Sequence, residues 1–248
     1  MWNDSGESFH AEIIAETVGC NFKHMKKILT SSFLIALTTK LVGQVAIIKD
    51  EDGFTNVRAE SQNSSEIIHR INLNEPFWFD EESYYSSKDT WIQVFVSKNS
   101  FTIDCDSELI TGFVHRTRVC PLEQLEKYSG NDLSFEIHTK AFDEKDKIID
   151  RTEDKWISKI NGRKFWGTDG VIPKTEIKSL NIIVRGTKIL VPEILTEDLF
   201  NCPENFTVFE SGKSFIIHQA CSDGARFFEL VWVVNDKGIE KRLVGSII

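Results

Sequence analysis

Along most of the chain, apolar residues fall into short runs separated by charged or glycine-bearing turns. Alternation of apolar and polar side chains within such a run is what a half-buried β-strand needs, because successive side chains point to opposite faces. Val45-Ala46-Ile47-Ile48 is apolar throughout and stops at the charged turn Lys49-Asp50-Glu51-Asp52-Gly53. Phe54-Thr55-Asn56-Val57-Arg58 alternates. After a polar loop come Glu66-Ile67-Ile68-His69-Arg70-Ile71, then Phe77-Trp78-Phe79, an acidic, serine-rich loop, and Trp91-Ile92-Gln93-Val94-Phe95-Val96. Residues 112–119 close the set. Strands this short and evenly spaced predict a small barrel or sandwich over residues 45–122.

Residues 123–132 read as a short helix or linker, and 133–248 as a second unit. Its predicted strands are Leu133-Ser134-Phe135-Glu136-Ile137, Lys155-Trp156-Ile157-Ser158-Lys159-Ile160, Ile182-Ile183-Val184, Lys188-Ile189-Leu190-Val191, and the stretches 214–218 and 227–234. Turns at Asn161-Gly162, Arg185-Gly186, Ser211-Gly212 and Asp236-Lys237-Gly238 sit where hairpins need them. Only 192–200 suggests a short helix. The second unit is expected to be an antiparallel β-sandwich-like domain, making the fold mainly β. Phe227 to Val234 could be an edge open to a foreign strand, but it is apolar at both parities and reads better as a central strand.

Specific residues carry a resemblance. Gly53, Phe54, Asn56, Val57 and Arg58 match a Gly-aromatic-x-Asn-Val-Arg opening strand, Ile67-Ile68 a strand after a polar loop, Trp91 and Val94 a Trp-x-x-Val strand, and Gly112-Phe113-Val114-His115 a closing strand. Residues 46–122 thus resemble the bacterial SH3-like (SH3b) domain. The resemblance implies a small β-barrel with tight turns at Gly53 and Gly112, Val57 and Val94 in its core and Trp91 capping it. It also implies an extracellular binding module associated with the cell wall. Two departures are a longer insertion at 95–110 and Glu60-Ser61-Gln62 where the family has a Gly-Pro turn. The second unit, through Asn161-Gly162, Trp166-Gly167-Thr168-Asp169-Gly170, Pro173-Lys174-Thr175-Glu176 and Ser222-Asp223-Gly224-Ala225, resembles a tail of uncharacterised secreted Bacteroidetes-type proteins, which brings no activity with it.

The hydrophobic fraction of 41% and charged fraction of 27% are those of a globular chain rather than a disordered one. The formal net charge is −9, and no run of Lys or Arg exceeds two. Nucleic acid is therefore not an expected partner, since phosphate binding rests on clustered cations, and anionic lipid is disfavoured for the same reason.

The segment 25–43, MKKILTSSFLIALTTKLVG, has two lysines ahead of an apolar stretch and a small residue at its end, the pattern of a secretory signal peptide. Its apolar run is shorter than the ~20 residues that span a bilayer, so no integral membrane span is expected. Residues 1–24 lack this pattern and read as an upstream extension from a misassigned start, with Met25 the true one. The alternative is a short amphipathic helix packed in a core. Export to the periplasm or exterior would leave Cys105, Cys120, Cys202 and Cys221 able to form disulfides. Locality favours Cys105 with Cys120 and Cys202 with Cys221, against four buried free thiols.

No nucleophile elbow, His-Glu-x-x-His helix or Cys-x-x-Cys pair occurs, so no catalytic residue, metal or cofactor is expected. His218 with Cys221 and Asp223 comes nearest to a catalytic group, but positions 218 and 221 fall on opposite faces of a strand, and a structural histidine is the better reading. The turns at Asp169-Gly170, Ser222-Asp223-Gly224 and Lys49 to Gly53 lack the ligand spacing of a calcium loop. Aromatic side chains beside acids and hydroxyls suit sugar faces or peptides, which makes Trp78, Tyr84 and Tyr85 candidate ligand-binding residues. The expected function is a non-catalytic envelope protein that recognises cell-wall (peptidoglycan) glycan or a peptide. The alternatives are a wall hydrolase using His218 with an acid, or an interaction or inhibitor partner of another envelope protein.

Overall fold

Seven strands, β1 (Val45–Ile48), β2 (Phe54–Arg58), β3 (Ile67–Asn72), β4 (Phe77–Phe79), β5 (Trp91–Ser97), β6 (Leu109–His115) and β7 (Val119–Pro121), form one antiparallel sheet in the order β3-β2-β6-β5-β4-β1-β7. All seven feed a single apolar cluster, among them Ile48, Val57, Ile71, Phe77, Val94, Val114 and Val119. The two ends of the sheet therefore share one core, around which the sheet curls. Alternate residues of the same strands, Val45, Ile47, Trp78 and Cys120, point the other way into a second cluster. Burial on both faces is why β1 and β4 are apolar without alternation. The structure is a computed structural model, and it describes residues 45–86, 88–103, 108–153, 155–221 and 227–246. The expected signal peptide at 25–43, the extension at 1–24, Cys105 and Asp223 lie outside the described residues.

Nine further strands follow: β8 (Leu133–Ala141), β9 (Ile149–Thr152), β10 (Trp156–Ile160), β11 (Thr175–Val184), β12 (Thr187–Ile189), β13 (Thr207–Ser211), β14 (Ser214–Cys221), β15 (Phe228–Asn235) and β16 (Gly238–Gly245). They make a four-stranded sheet, β13-β14-β15-β16, a three-stranded sheet, β12-β11-β8, and the hairpin β9–β10, all antiparallel. The four-stranded sheet is a middle layer. Its Ile216, Val231, Val233 and Leu243 meet Val45, Ile47 and Trp78 of the first sheet, and its Phe215, Ile217, Leu230 and Trp232 meet Ile137, Ile182 and Val184 of the three-stranded sheet. β15 is paired on both sides and buried on both faces, so it is the central strand that its sequence suggests. At the β11–β12 turn, Arg185 (φ 47°) and Gly186 (φ 81°) are both left-handed, as a tight hairpin following the strand twist requires.

Both open edges of the middle sheet are covered. Residues 123–132, read above as a short helix or linker, pack along β13: Tyr128 N–H donates to the Val208 carbonyl at 2.8 Å, and its ring lies 4.9 Å from that of Phe215. At the other edge, the β5–β6 insertion sends Phe101 and Thr102 against β16, where Phe101 bridges Arg242 in parallel and Thr102 Oγ1 accepts from Val244 N–H at 2.7 Å. Covering both edges removes sites for unwanted strand pairing. The described residues belong to one compact unit, and none of their helices is long and apolar enough to cross a membrane. The one α-helix among them, α1 (Glu81–Tyr85), is capped by the Asp80 side chain and replaces the expected acidic loop.

Three buried carboxylates are each held by cationic side chains. Asp198 meets Arg242 at 2.6 Å with both side chains fully enclosed. Glu75 accepts from Lys241 at 2.8 Å and from Asn72, and Glu176 from Lys140 at 2.9 Å and Lys147 at 2.6 Å. Burial pushes the Glu75 and Glu176 carboxyls up, but their lysine partners, with Asn72 at Glu75, outweigh it and hold both below the usual 4.5. Protons therefore bind the unfolded chain before the folded one. The stability that these groups add is complete above the unfolded value and is lost as pH falls through the lowered folded values. The urea midpoint should hold steady from neutral pH down to the carboxylate range and drop below it. Glu75→Gln and Glu176→Gln should each be less stable at neutral pH and show a shallower acid drop; an unchanged acid slope would contradict this assignment.

Candidate functional site

β2 explains how a polar cleft forms on the first sheet. Thr55 and Val57 face the core, so Phe54, Asn56 and Arg58 face outward. Trp91 on β5 stands directly opposite His115 on β6, on the same outer surface, with the rings edge to face at 5.6 Å. The loop after β1 brings Asp50 and Asp52 over this surface, and a cleft of about 390 Å³ is left between them, with Arg118 in its wall.

Ion pairs and hydrogen bonds tie the wall of the cleft. Asp50, 6% exposed, accepts from Arg118 Nη1 at 2.7 Å, while Arg118 itself is 43% exposed. Lys49 N–H donates to the Arg118 carbonyl at 2.9 Å, which closes the loop. His115 Nδ1 lies 2.8 Å from Thr117 Oγ1, and Arg58 donates to the Ser65 carbonyl at 2.7 Å. Phe54 is backed by the Arg70 guanidinium at 4.0 Å. The Asn56 side-chain oxygen is buried and, among the described residues, accepts no hydrogen bond. An orphaned acceptor of this kind costs free energy unless something donates to it. Flat rings and both signs of charge can hold a ligand rich in hydroxyls and amides. Asp50, Asp52, Thr117 and Arg118 also line an adjoining depression of about 770 Å³, which runs past Leu73 and Gln124 to Ser211.

The residues expected to touch ligand stand elsewhere. Trp78 is 3% exposed and fills the layer between the first and middle sheets, so its ring is closed to a surface ligand; the alternation of β4, with Phe77 and Phe79 facing the other core, put it there. Tyr84 is half-buried, edge to face with Phe79 at 5.3 Å. Tyr85 is 49% exposed, and its hydroxyl donates to the Glu123 carboxylate. Burial and that carboxylate push the Tyr85 phenol well up from its ordinary value. Arg116 joins this helix to the end of β6, donating to the Ser83 carbonyl at 2.7 Å and to that of Asp89 at 2.6 Å.

Several residues quoted above for the fold turn out to line the cleft: Phe54, Asn56, Arg58, Trp91 and His115. Their outward parity was the available signal. Trp91 is in the cleft wall and is not among the core residues that it was expected to cap, whereas Val57 and Val94 fill the core as expected. Gly112 lies inside β6 rather than in a turn; a Cβ there would stand 2.7 Å from the Arg58 carbonyl oxygen and 2.6 Å from Val57 Cγ1.

His218 and Cys221 do face opposite ways on β14. His218 Nε2 instead meets Glu229 Oε1 at 2.9 Å, with side-chain exposures of 16% and 2%. Cys120, Cys202 and Cys221 are buried free thiols, and Cys105 lies outside the described residues. No cluster of three or more potential metal ligands occurs among the described residues. A further depression of about 620 Å³ lies beside the β9–β10 hairpin, between Trp156 and Asp169-Gly170. Comparison with family models, with curated proteins and with solved structures returned no match.

Proposed function

We propose that the chain is an exported envelope protein whose first sheet is an SH3-like module that binds cell-wall material, peptidoglycan glycan or its peptide, without catalysis. The observation that carries this reading is the cleft: five residues of the resemblance, Phe54, Asn56, Arg58, Trp91 and His115, line it together. Rings stack on sugar or peptide planes, and Arg118 opposite Asp50 offers donors. The leader-like segment at 25–43 supplies the export half of the reading.

A pull-down of the full chain with insoluble peptidoglycan sacculi tests it, scoring bound protein and released soluble fragments together. Binding without release is the expected result. The hydrogen-bonded His218–Glu229 pair favours a second reading, a wall hydrolase with its acid–base group in the middle sheet. That reading requires fragment release that stops in a folded His218→Ala variant. Absence of both binding and release would remove both readings in favour of a protein partner.

A further inference from the structure

Two free cysteines share the dry core between the middle and three-stranded sheets. Cys221 ends β14 on the face that carries Phe215, Ile217 and Gln219, and this face looks onto the three-stranded sheet. The Gln219 side-chain amide donates to the Pro203 carbonyl at 2.8 Å, which holds the backbone beside Cys202 against this end of β14. Cys202 and Cys221 belong to the same apolar cluster and are 6% and 0% exposed. Cys120 lies in the cluster on the opposite side of the middle sheet, so it does not compete for either.

We propose that Cys202 and Cys221 are a disulfide-forming pair that closes when the chain folds in an oxidising compartment. The oxidant is a small disulfide, RSSR. One cysteine sulfur attacks it as the thiolate and releases the first RSH; the second attacks the mixed disulfide and releases another RSH. Two S–H bonds and one S–S bond are broken, and one S–S bond and two S–H bonds form; the protein gives up two electrons and RSSR takes them. Burial sets the timing. The neighbouring Cys202 thiol and burial push the Cys221 thiol far up, so in the closed core it stays protonated and slow to exchange. Exchange therefore precedes closure of the core, and the finished bond is shielded from reductant. The cross-link fastens the segment carrying Asp198 to β14. The proposal takes only its compartment from the export reading; the pairing rests on geometry.

The test uses the full chain, unfolded with reductant, refolded in a glutathione redox buffer and checked for folding by circular dichroism. Remaining thiols are alkylated in denaturant and the digest is mapped by mass. Cys202 and Cys221 should appear in one linked peptide pair, two hydrogen atoms lighter than the separate peptides. The oxidised protein should also show a higher urea midpoint than the same protein refolded with reductant. Recovery of both cysteines alkylated from a folded sample, or linkage of either to Cys105 or Cys120, would overturn the proposal. Cell fractionation judges export separately: a chain that pairs in vitro but stays inside the cell refutes export alone, and an exported chain with both thiols free refutes the pairing alone.

Discussion

Asp198→Asn should destabilise the chain by about 3–5 kcal/mol, the usual cost of leaving one member of a buried ion pair uncompensated. Asp198 and Arg242 are both fully enclosed and 2.6 Å apart. The Arg242 guanidinium also donates to the Thr102 carbonyl, while its Nε has no acceptor among the described residues. Burial pushes the Arg242 pKa down and the Asp198 carboxylate opposes it, so removing that charge leaves a cation in a low-dielectric site with a neutral amide for company. Urea unfolding of the variant beside the native chain measures the loss. A double variant separates charge from shape. Replacing both residues by apolar ones, Asp198→Leu with Arg242→Met, removes both members of the pair together and should cost less than Asp198→Asn alone. A single variant within about 1 kcal/mol of the native chain would mean that the pair lies in a more polarisable site than its burial implies.

Trp78→Ala should cost about 3–5 kcal/mol, as large-to-small changes of buried aromatics do. The indole is 3% exposed, and its ring lies so close over Gly245 that a Cβ there would stand 3.0 Å from it. Emptying this position opens a cavity between the first and middle sheets, with the backbone of Gly245 on one wall. Trp78→Phe, which keeps a ring, should lose less. The same variants decide between packing and ligand roles. If Trp78 only packs, sacculus binding by the folded fraction of Trp78→Ala is unchanged; a variant with native stability and lost binding would make Trp78 a ligand residue after all.

Which parts of this architecture were legible follows from where each strand finds its partners. β2, β5 and β14 show their alternation or apolar runs in the sequence, and the Arg185-Gly186 and Ser211-Gly212 turns name their own hairpins, whereas Asn161-Gly162 turns the chain only between Ile160 and Arg163. β16, Gly-Ile-Glu-Lys-Arg-Leu-Val-Gly, gave no such signal, because Arg242 in its middle is inside and is neutralised by Asp198, a residue distant in the chain. β13 and β9 are short and polar, and are held as strands by their neighbours' hydrogen bonds. The acidic loop became α1 because Asp80 caps it and Arg116 anchors its last turn. The layering was hidden for the same reason as β16: Val45, Ile47 and Trp78 read as apolar, but nothing local says that their second face meets β14, β15 and β16.

The site was legible in its residues but not in its place. Aromatic density drew the choice to Trp78, Tyr84 and Tyr85, which the fold spends on the interlayer core and on clasping α1 to Glu123. The cleft instead takes one ring each from β2 and β5 and joins them to His115, Asn56 and Arg118. Only the cross-strand register, with Trp91 opposite His115 and Arg58 opposite Phe113, brings those residues together.

The most direct test of a ligand site in this cleft is a sacculus-binding isotherm for Trp91→Ala, run beside the native chain and Tyr85→Ala. Loss of one stacking ring worth ~1.4 kcal/mol weakens binding about tenfold. Trp91→Ala should show that loss and Tyr85→Ala none, with both variants folded. Native-strength binding by Trp91→Ala, together with weakened binding by Tyr85→Ala, would move the contact to the α1 ridge and contradict the cleft.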